Sequence, residues 1–210
     1  MLKHRIFRTR LHSRSDGFTF LEIVAVLAIL GIISAIAIPS ITRALANMKL
    51  NGAARGLSNT AAVAKTKAAA QFTRARLYAD LNAQTFHVEV WNGTTNQWVT
   101  DGAITALPTG VTFSWGPVGA PPTNMLPQAI QWALACRDNA SPSNPINQTA
   151  CIEFNSRGIP VDETTNFGPT DKNTLYIGDG TTVLGLTVAP TGLIGLWTTP
   201  SVAAPIWTRS

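Results

Sequence analysis

The chain has 210 residues and a formal net charge of +5, a value that raises the question of a nucleic-acid partner. Residues 1–17 account for most of that charge, with five Lys or Arg side chains against the single acid Asp16. Residues 18–210 hold eleven basic and ten acidic side chains. Because this long remainder is close to neutral, bulk charge gives no support for nucleic-acid binding.

An apolar segment follows the basic residues and is the first predicted element. Residues 18–38 form a run of 21 residues with one charged side chain, Glu22. As an α-helix this run would be about 30 Å long, which matches the hydrocarbon core of a bilayer. The basic residues in front of it predict a cytoplasmic N-terminus with the rest of the chain outside. A carboxylate inside such a segment is costly, so Glu22 is a candidate functional residue.

The sequence Gly17-Phe18-Thr19-Phe20-Leu21-Glu22 joins the basic residues to the apolar segment. It resembles the class III leader of type IV pilins and type II secretion pseudopilins. The resemblance implies that prepilin peptidase cuts after Gly17 and methylates the new amine of Phe18. It also implies that Glu22 of one subunit pairs with the Phe18 amine of its neighbour in a filament. Pro39 falls where many members of the family carry a helix-breaking proline. The alternative is a signal anchor that happens to contain an acid.

A second helical pattern follows the apolar run. Small and apolar residues between Leu50 and Ala79 recur at steps of three or four and form one stripe. We expect the stripe to face neighbouring subunits first and a sheet from about Leu57 onward. Gly52 and Gly56 each weaken a helix by about 1 kcal/mol relative to Ala, so a bend or local melting is expected there. The predicted organisation is a leader (1–17), a transmembrane and assembly helix (18–39), a periplasmic continuation of the helix (40–81) and a β-rich globular domain (82–210).

The period changes to that of β-strands after Leu81. Phe86, Val88 and Val90 alternate with polar residues, and Asn92-Gly93 supplies a hairpin turn. Further strands are predicted at 97–99, 111–115, 150–154, 175–177, 183–188 and 193–197, with a Pro- and Gly-rich loop at 116–127. A long helix followed by consecutive strands predicts an α+β fold, in which the N-terminal helix packs on an antiparallel sheet.

Two short segments near the C-terminus carry a second resemblance. Residues 154–160 read Phe-Asn-Ser-Arg-Gly-Ile-Pro, and residues 187–192 read Thr-Val-Ala-Pro-Thr-Gly. They resemble the C-terminal half of the GspH/FimT branch of pilin-like proteins, although another minor pilin or a divergent major pilin stays open. Some FimT-like minor pilins bind DNA through a Gly-Arg-x-Arg motif, and the matching residues here, Gly192-Leu193-Ile194-Gly195, lack both arginines. Because phosphate binding needs clustered cations, nucleic acid is not an expected partner.

The chain has two cysteines, Cys136 and Cys151, fifteen residues apart in the predicted exported domain. An oxidising compartment favours a disulfide between them. Closing a loop of about 15 residues would stabilise the fold by roughly 3 kcal/mol, and strain in the folded state would reduce that value. A free thiol or a metal site is the alternative.

No arrangement typical of an enzyme is present in the sequence. His87 is the one histidine after residue 17, and we expect it on the surface or in the sheet. Metalloprotease, phosphate-loop and nucleophile-elbow motifs are missing. Asp162 and Glu163 are adjacent, as in a solvated loop. Asp171 and Asp179 only loosely resemble a calcium loop, so no cofactor is expected.

Together these patterns predict a minor pilin or pseudopilin, a non-enzymatic subunit of a type II secretion pseudopilus or a type IV pilus. Its expected partners are other pilins, prepilin peptidase and the inner-membrane assembly platform. It would be a single-pass protein of the bacterial inner membrane, with the C-terminal domain in the periplasm, before it enters the filament. The apolar tail at 194–207 would be buried in the sheet or contact a neighbouring pilin or secreted substrate. The alternatives are a DNA-binding competence subunit and a membrane-anchored periplasmic binding domain.

Overall fold

The structure is a computed structural model that describes residues 17–119, 133–139 and 143–210. The chain divides into two compact units, residues 1–43 and residues 44–210. Residues 1–16 of the predicted leader and residues 120–127 of the predicted loop lie outside the described residues.

One long helix, α1, spans Phe20–Ala70. It continues through Pro39 and through Gly52 and Gly56, so the predicted local melting at the two glycines is wrong. In the second unit, packing offsets the cost of glycine in a helix. Gly56 lies beside the ring of Phe86, where an added Cβ would stand 3.5 Å from the ring carbon Cζ. Its neighbour Leu57 is buried in the core.

The helix ends at Ala70 and not, as the periodicity predicts, at Ala79. The Thr73 N–H donates to the Ala68 carbonyl at 3.1 Å, and Phe72 adopts a left-handed backbone with φ of 50°. This is a Schellman ending, which stops a helix. Residues 74–80 alternate polar and apolar side chains, and strand β1 spans Ala75–Asp80. Ala75 and Ala79 misled the prediction because a step of four fits both a helix and a strand.

Twelve strands are assigned among the described residues. The strands are β1 (Ala75–Asp80), β2 (Thr85–Asn92), β3 (Gln97–Thr100), β4 (Thr105–Ala106), β5 (Thr112–Phe113), β6 (Thr149–Phe154), β7 (Pro160–Asp162), β8 (Gly168–Pro169), β9 (Thr174–Gly178), β10 (Thr182–Val188), β11 (Ile194–Pro200) and β12 (Thr208–Arg209), with a 3₁₀ turn at Glu163–Thr165. The longer strands confirm the predicted ones. Strand β1 was predicted as helix, and the other unpredicted strands have two or three residues, too few to show a period.

Two antiparallel sheets form within the described residues. The first has seven strands in the order β3-β2-β1-β6-β7-β8, with β4 also paired to β2. The second has five, in the order β12-β11-β10-β9-β5. The inner faces of both sheets and the helix share one core. Its members include Leu50, Leu57, Ala61, Ala64, Leu77, Phe86, Ile152, Leu175, Leu184 and Leu186. The predicted α+β architecture, with a long N-terminal helix packed on antiparallel sheets, is confirmed.

Candidate functional site

The first turn of α1 contains Glu22. Thr19 precedes the helix, and its hydroxyl oxygen accepts a hydrogen bond from the Glu22 backbone N–H at 3.2 Å. The Thr19 carbonyl accepts another from the Ile23 N–H at 3.2 Å. The bond to the Thr19 hydroxyl is one of the two hydrogen bonds of a capping box, in which threonine is the N-cap and glutamate follows three positions later. Interpreting Glu22 as an assembly residue alone missed this local role, which the Thr-x-x-Glu spacing signals.

A carboxylate in this first turn is also favoured by the positive end of the helix dipole. The capping position therefore lowers the cost of an acid at the start of an apolar helix. Glu22 and Phe18 are both exposed in the single chain, and the exposed fraction of Phe18 is 76%. Among the described residues, none forms an ion pair with Glu22. The pairing of Glu22 with the Phe18 amine of a second subunit stays a prediction.

The apolar part of α1 has the properties of a membrane segment. The helix is long and apolar enough to cross a bilayer, and its most apolar 18 residues have a mean hydropathy of 2.7. None of those residues is buried within the protein. These properties fit membrane anchoring.

In unit 44–210, Cys136 and Cys151 are joined in the disulfide that the sequence favours. The bond ties residues 133–139 and 143–146, here called the strap, to the outer face of β6. The Cys151 N–H donates to the Leu134 carbonyl at 2.8 Å, and the Cys136 N–H donates to the Thr149 hydroxyl at 3.0 Å. The disulfide therefore belongs to a wider set of bonds that hold the strap against the sheet.

Under the strap, one row of charged side chains crosses the outer face of the first sheet. Arg76 on β1 is the direct cross-strand neighbour of Glu89 on β2 and of Glu153 on β6. Its guanidinium donates from Nε to Glu89 Oε2 at 2.6 Å and from Nη1 to the Arg137 carbonyl of the strap at 2.9 Å. Arg76 is 3% exposed, so this buried charge depends on both partners.

A second arginine lies beside that row. Arg74 Nη1 donates to Glu153 Oε1 at 2.9 Å. The Arg74 guanidinium carbon lies 4.4 Å from the ring centre of Phe167, 4.5 Å from that of Trp91 and 5.3 Å from that of Trp98. Cation–π attraction of this kind stabilises by about 0.5–1 kcal/mol or more once water is excluded. Both arginines are therefore paired with acids and aromatic rings of the same chain, which indicates a structural role.

Burial changes the titration of this face. Burial raises the pKa of Glu153 to about 7, although the Arg74 and Arg76 guanidiniums lower it. Burial lowers the pKa of Arg76, with Glu89 acting in the opposite direction. For Glu89, burial acts to raise the pKa, but the combined contacts with His87 and Arg76 hold it below its ordinary value. His87 is a buried sheet residue that stacks on Tyr78 with 4.8 Å between ring centres.

A cavity of about 160 Å³ lies between the strap and the charged row. Arg76, Arg137 and Lys172 line it together with Glu153, Asp162 and Glu163. The lining has three basic and three acidic side chains, so it does not single out one class of ligand. Within the described ranges, no group of three or more His, Cys, Asp or Glu side chains is placed to hold a metal ion.

Asp162 corrects the expectation of a solvated loop at 162–163. It is 3% exposed, and its carboxylate accepts hydrogen bonds from the Thr164 N–H at 2.7 Å and the Thr164 hydroxyl at 2.6 Å. Asp162 thereby caps the 3₁₀ turn.

Asp179 has a similar role in the turn between β9 and β10. Burial acts to raise its pKa, but hydrogen bonds from Thr181 and Thr182 hold it below the ordinary value. Two acids that suggest chemistry in the sequence therefore organise turns.

The two C-terminal segments that resemble the GspH/FimT branch meet at one helix residue. Lys65 Nζ donates to the Gly192 carbonyl at 2.9 Å. Gly158 has φ of 71°, and a Cβ there would stand 2.9 Å from Lys65 Cε. Gly192 has φ of 81°, and a Cβ there would overlap the Gly158 carbonyl oxygen. Both glycines therefore permit close contact of two turns with the helix and with each other.

The hairpin between β10 and β11 exposes an apolar side chain, since Leu193 is 62% exposed. Lys65 beside it is already bonded to the Gly192 carbonyl. The apolar tail is buried in part, and its contact with a neighbouring pilin or secreted substrate stays a prediction. Trp207 packs against the buried Tyr176, whereas Ile206 is 77% exposed.

The prokaryotic N-terminal methylation motif matches residues 12–38 of the chain. This range contains Thr19, Glu22 and the apolar start of α1. The motif indicates a type IV pilin-like protein. For a pilin-like protein, the motif implies processing by prepilin peptidase and assembly with other pilins. Neither the curated proteins nor the solved structures contain a significant match to the chain.

The charged residues that the sequence singles out have structural contacts in the described part of the chain. Glu22 lies in a helix cap, the buried arginines lie under the strap, and Asp162 and Asp179 lie in turns. The apolar part of α1 in unit 1–43 is exposed and is available to a partner or a membrane.

Proposed function

We propose that this chain is a minor pilin or pseudopilin, a structural subunit of a type II secretion pseudopilus or a type IV pilus. Prepilin peptidase would remove residues 1–17 and methylate the new amine of Phe18. The inner-membrane assembly platform would then move the subunit from the membrane into a filament. The observation that carries the proposal is the methylation motif at residues 12–38, at the start of an exposed apolar helix.

In this proposal the helix anchors the subunit in the bacterial inner membrane and places unit 44–210 in the periplasm. Cleavage after Gly17 creates a cationic amine four residues before Glu22. In a filament, Glu22 pairs with the Phe18 amine of the neighbouring subunit, because an apolar bundle disfavours either charge alone. The Thr19 cap supports this arrangement. Its hydroxyl binds the backbone N–H of Glu22 and leaves the Glu22 carboxylate available to the neighbouring amine. No cofactor is required for this function.

We assign the chain to the GspH/FimT branch. The assignment is supported by the contact between its two signature segments, in which the Gly158 turn and the Gly192 turn close on Lys65. A DNA-binding competence subunit is the weaker candidate. The hairpin around Gly192 has Leu193 and Ile194 where arginines would be needed, and Lys65 is engaged with a carbonyl.

Glu22→Leu tests the assembly role of the carboxylate. We expect the variant to insert into the membrane at the level of the unmodified chain and to be missing from filaments sheared from cells, because the Phe18 amine loses its partner. Immunoblots of the membrane and sheared fractions measure both quantities.

Thr19→Ala is the matched control, since it removes the capping hydroxyl and leaves Glu22 in place. It should enter filaments. Incorporation of Glu22→Leu at the normal level would overturn the pairing, and an equal loss in both variants would assign the defect to helix capping.

A further inference from the structure

The sequence contains two Asn-Gly pairs, Asn51-Gly52 in α1 and Asn92-Gly93 at the end of β2. An asparagine side chain can lose ammonia when the backbone nitrogen of the next residue attacks its amide carbon, Cγ. Glycine hinders this attack least because it has no side chain. All four of these residues are exposed. Exposure therefore does not distinguish the two pairs, and a difference in reactivity has to come from their hydrogen bonds and backbone.

The side chain of Asn92 is held toward the residues that follow it. Its Oδ1 accepts hydrogen bonds from the Thr94 N–H at 2.9 Å and the Thr95 N–H at 3.2 Å. These are the contacts of an Asx turn, in which the side-chain amide lies along the following peptide unit. Nothing lies within 4 Å of the point where a Cβ of Gly93 would stand, so there is room for a ring to close here.

The same two N–H groups are placed to stabilise the reaction. When the Gly93 nitrogen adds to Cγ, the Asn92 Oδ1 takes the negative charge of the tetrahedral intermediate. Backbone donors that already surround an oxygen which becomes negative lower the barrier to such an attack. Thr94 and Thr95 therefore supply Asn92 with the two donors of an oxyanion hole.

Asn51 is held in the opposite direction. Its Nδ2 donates to the Asn47 carbonyl at 2.8 Å, toward the start of the chain and away from Gly52. Gly52 lies inside α1, where each backbone N–H donates to the carbonyl four residues earlier. An attack at Asn51 would first have to open the helix beside the buried Leu50.

A second turn shows that the fold accommodates the product of the reaction at Asn92. Residues 179–182 read Asp-Gly-Thr-Thr, and residues 92–95 read Asn-Gly-Thr-Thr. The Asp179 Oδ1 accepts from the Thr181 N–H and the Thr182 N–H, both at 2.8 Å. An aspartate with the contacts of Asn92 is thus already part of this structure.

We propose that Asn92 is a self-catalysed deamidation site of the folded protein and that Asn51 is protected from the same reaction. Hydroxide removes the Gly93 amide proton, the nitrogen bonds to the Asn92 Cγ, and the Cγ–Nδ2 bond breaks. The leaving nitrogen takes a proton from water and departs as ammonia. Water then opens the five-membered succinimide ring to aspartate or isoaspartate. The new carboxylate lowers the formal net charge of the chain by one and lies in the groove that Asp101 also lines.

Incubation of the full chain in detergent, in mildly alkaline buffer with and without urea, tests the proposal. Peptide mass spectrometry measures the conversion of both asparagines in the same sample. In the folded chain Asn92 should convert at least about tenfold faster than Asn51, a ratio equivalent to opening one helical hydrogen bond. In urea the two rates should converge, and Asn92 should react more slowly than in the folded chain. Equal rates at the two sites of the folded chain, or a faster reaction of Asn92 in urea, would overturn the proposal.

Thr94→Pro tests the donors directly, because proline has no N–H to offer the Asn92 Oδ1. It should slow the conversion of Asn92 about tenfold or more, since one of two donors is lost. Thr94→Ser is the matched control, which keeps the N–H and should keep the rate. The Asn51 rate in the same samples reports any loosening of the fold. If Thr94→Pro leaves the rates at both asparagines unchanged, the N–H groups do not act on Asn92 and the proposal fails.

Discussion

Glu153 occupies a place where burial opposes its charge more strongly than two neighbouring guanidiniums support it. Burial raises its pKa to about 7 from an ordinary value of 4.5, while Arg74 and Arg76 lower it and Glu163 raises it. The folded state therefore holds the proton more tightly than the unfolded chain does. The stabilisation from this group is complete below pH 4.5 and is lost as the pH rises through 7.

The free energy of unfolding should accordingly fall by about 2 kcal/mol between pH 5 and pH 8. Chemical denaturation of the full chain in detergent at several pH values measures the slope. Glu153→Gln keeps an oxygen that can accept a hydrogen bond from Arg74 but does not titrate, so it should flatten the slope. Glu163→Gln removes an acid that raises the Glu153 pKa, so it should reduce the slope only in part. A slope in Glu153→Gln equal to that of the unmodified chain would show that another group is responsible.

Gly192 and Gly180 separate two reasons for a glycine, which are a left-handed backbone and the lack of space for a Cβ. Both have a positive φ, of 81° and 88°, but only Gly192 has a neighbour, the Gly158 carbonyl, where a Cβ would lie. Gly180→Ala should cost roughly 1 kcal/mol for the left-handed backbone. Gly192→Ala should cost about 2 kcal/mol more, since the overlap forces the turns apart. Equal unfolding free energies for the two variants would contradict the close contact at Lys65.

Among the elements, the strap depends most on a covalent bond. Replacing both Cys136 and Cys151 with Ser should lower the free energy of unfolding by about 3 kcal/mol, because the loop is no longer closed in the unfolded chain. Urea denaturation of the full chain in detergent, with and without reductant, measures the loss. The reduced unmodified chain should behave like the double variant. If neither differs from the oxidised chain, the hydrogen bonds to Leu134 and Thr149 alone are sufficient to hold the strap.

Helices and strands were predictable where their period continued for six or more residues, as in β2, β6 and β10. The boundary between α1 and β1 was not, because Ala75 and Ala79 satisfy either period. The discriminating signal was the alternation of Arg74, Arg76 and Tyr78 with small and apolar residues. Alanine carries little of the burial energy that decides between the two structures, so a stripe of alanines is a poor guide to where a helix ends.

For the molecule as a whole, local sequence identifies the N-terminal motif but not the contacts of the globular unit. The Thr19–Glu22 bond spans three positions and can be inferred from spacing. The Lys65–Gly192 bond spans 127 positions and depends on how two sheets close on one helix. The burial of Arg76 and Asp162 likewise depends on long-range packing, so it could not be predicted from the residue types alone.

The central claim is that this chain is made as a precursor and becomes a filament subunit through its N-terminus. The most direct test is mass spectrometry of the N-terminal peptide from cells with and without prepilin peptidase. We expect a chain that begins with N-methylated Phe18 in the first case and keeps residues 1–17 in the second. The same N-terminus in both strains, or a mature chain that begins anywhere other than Phe18, would contradict the account.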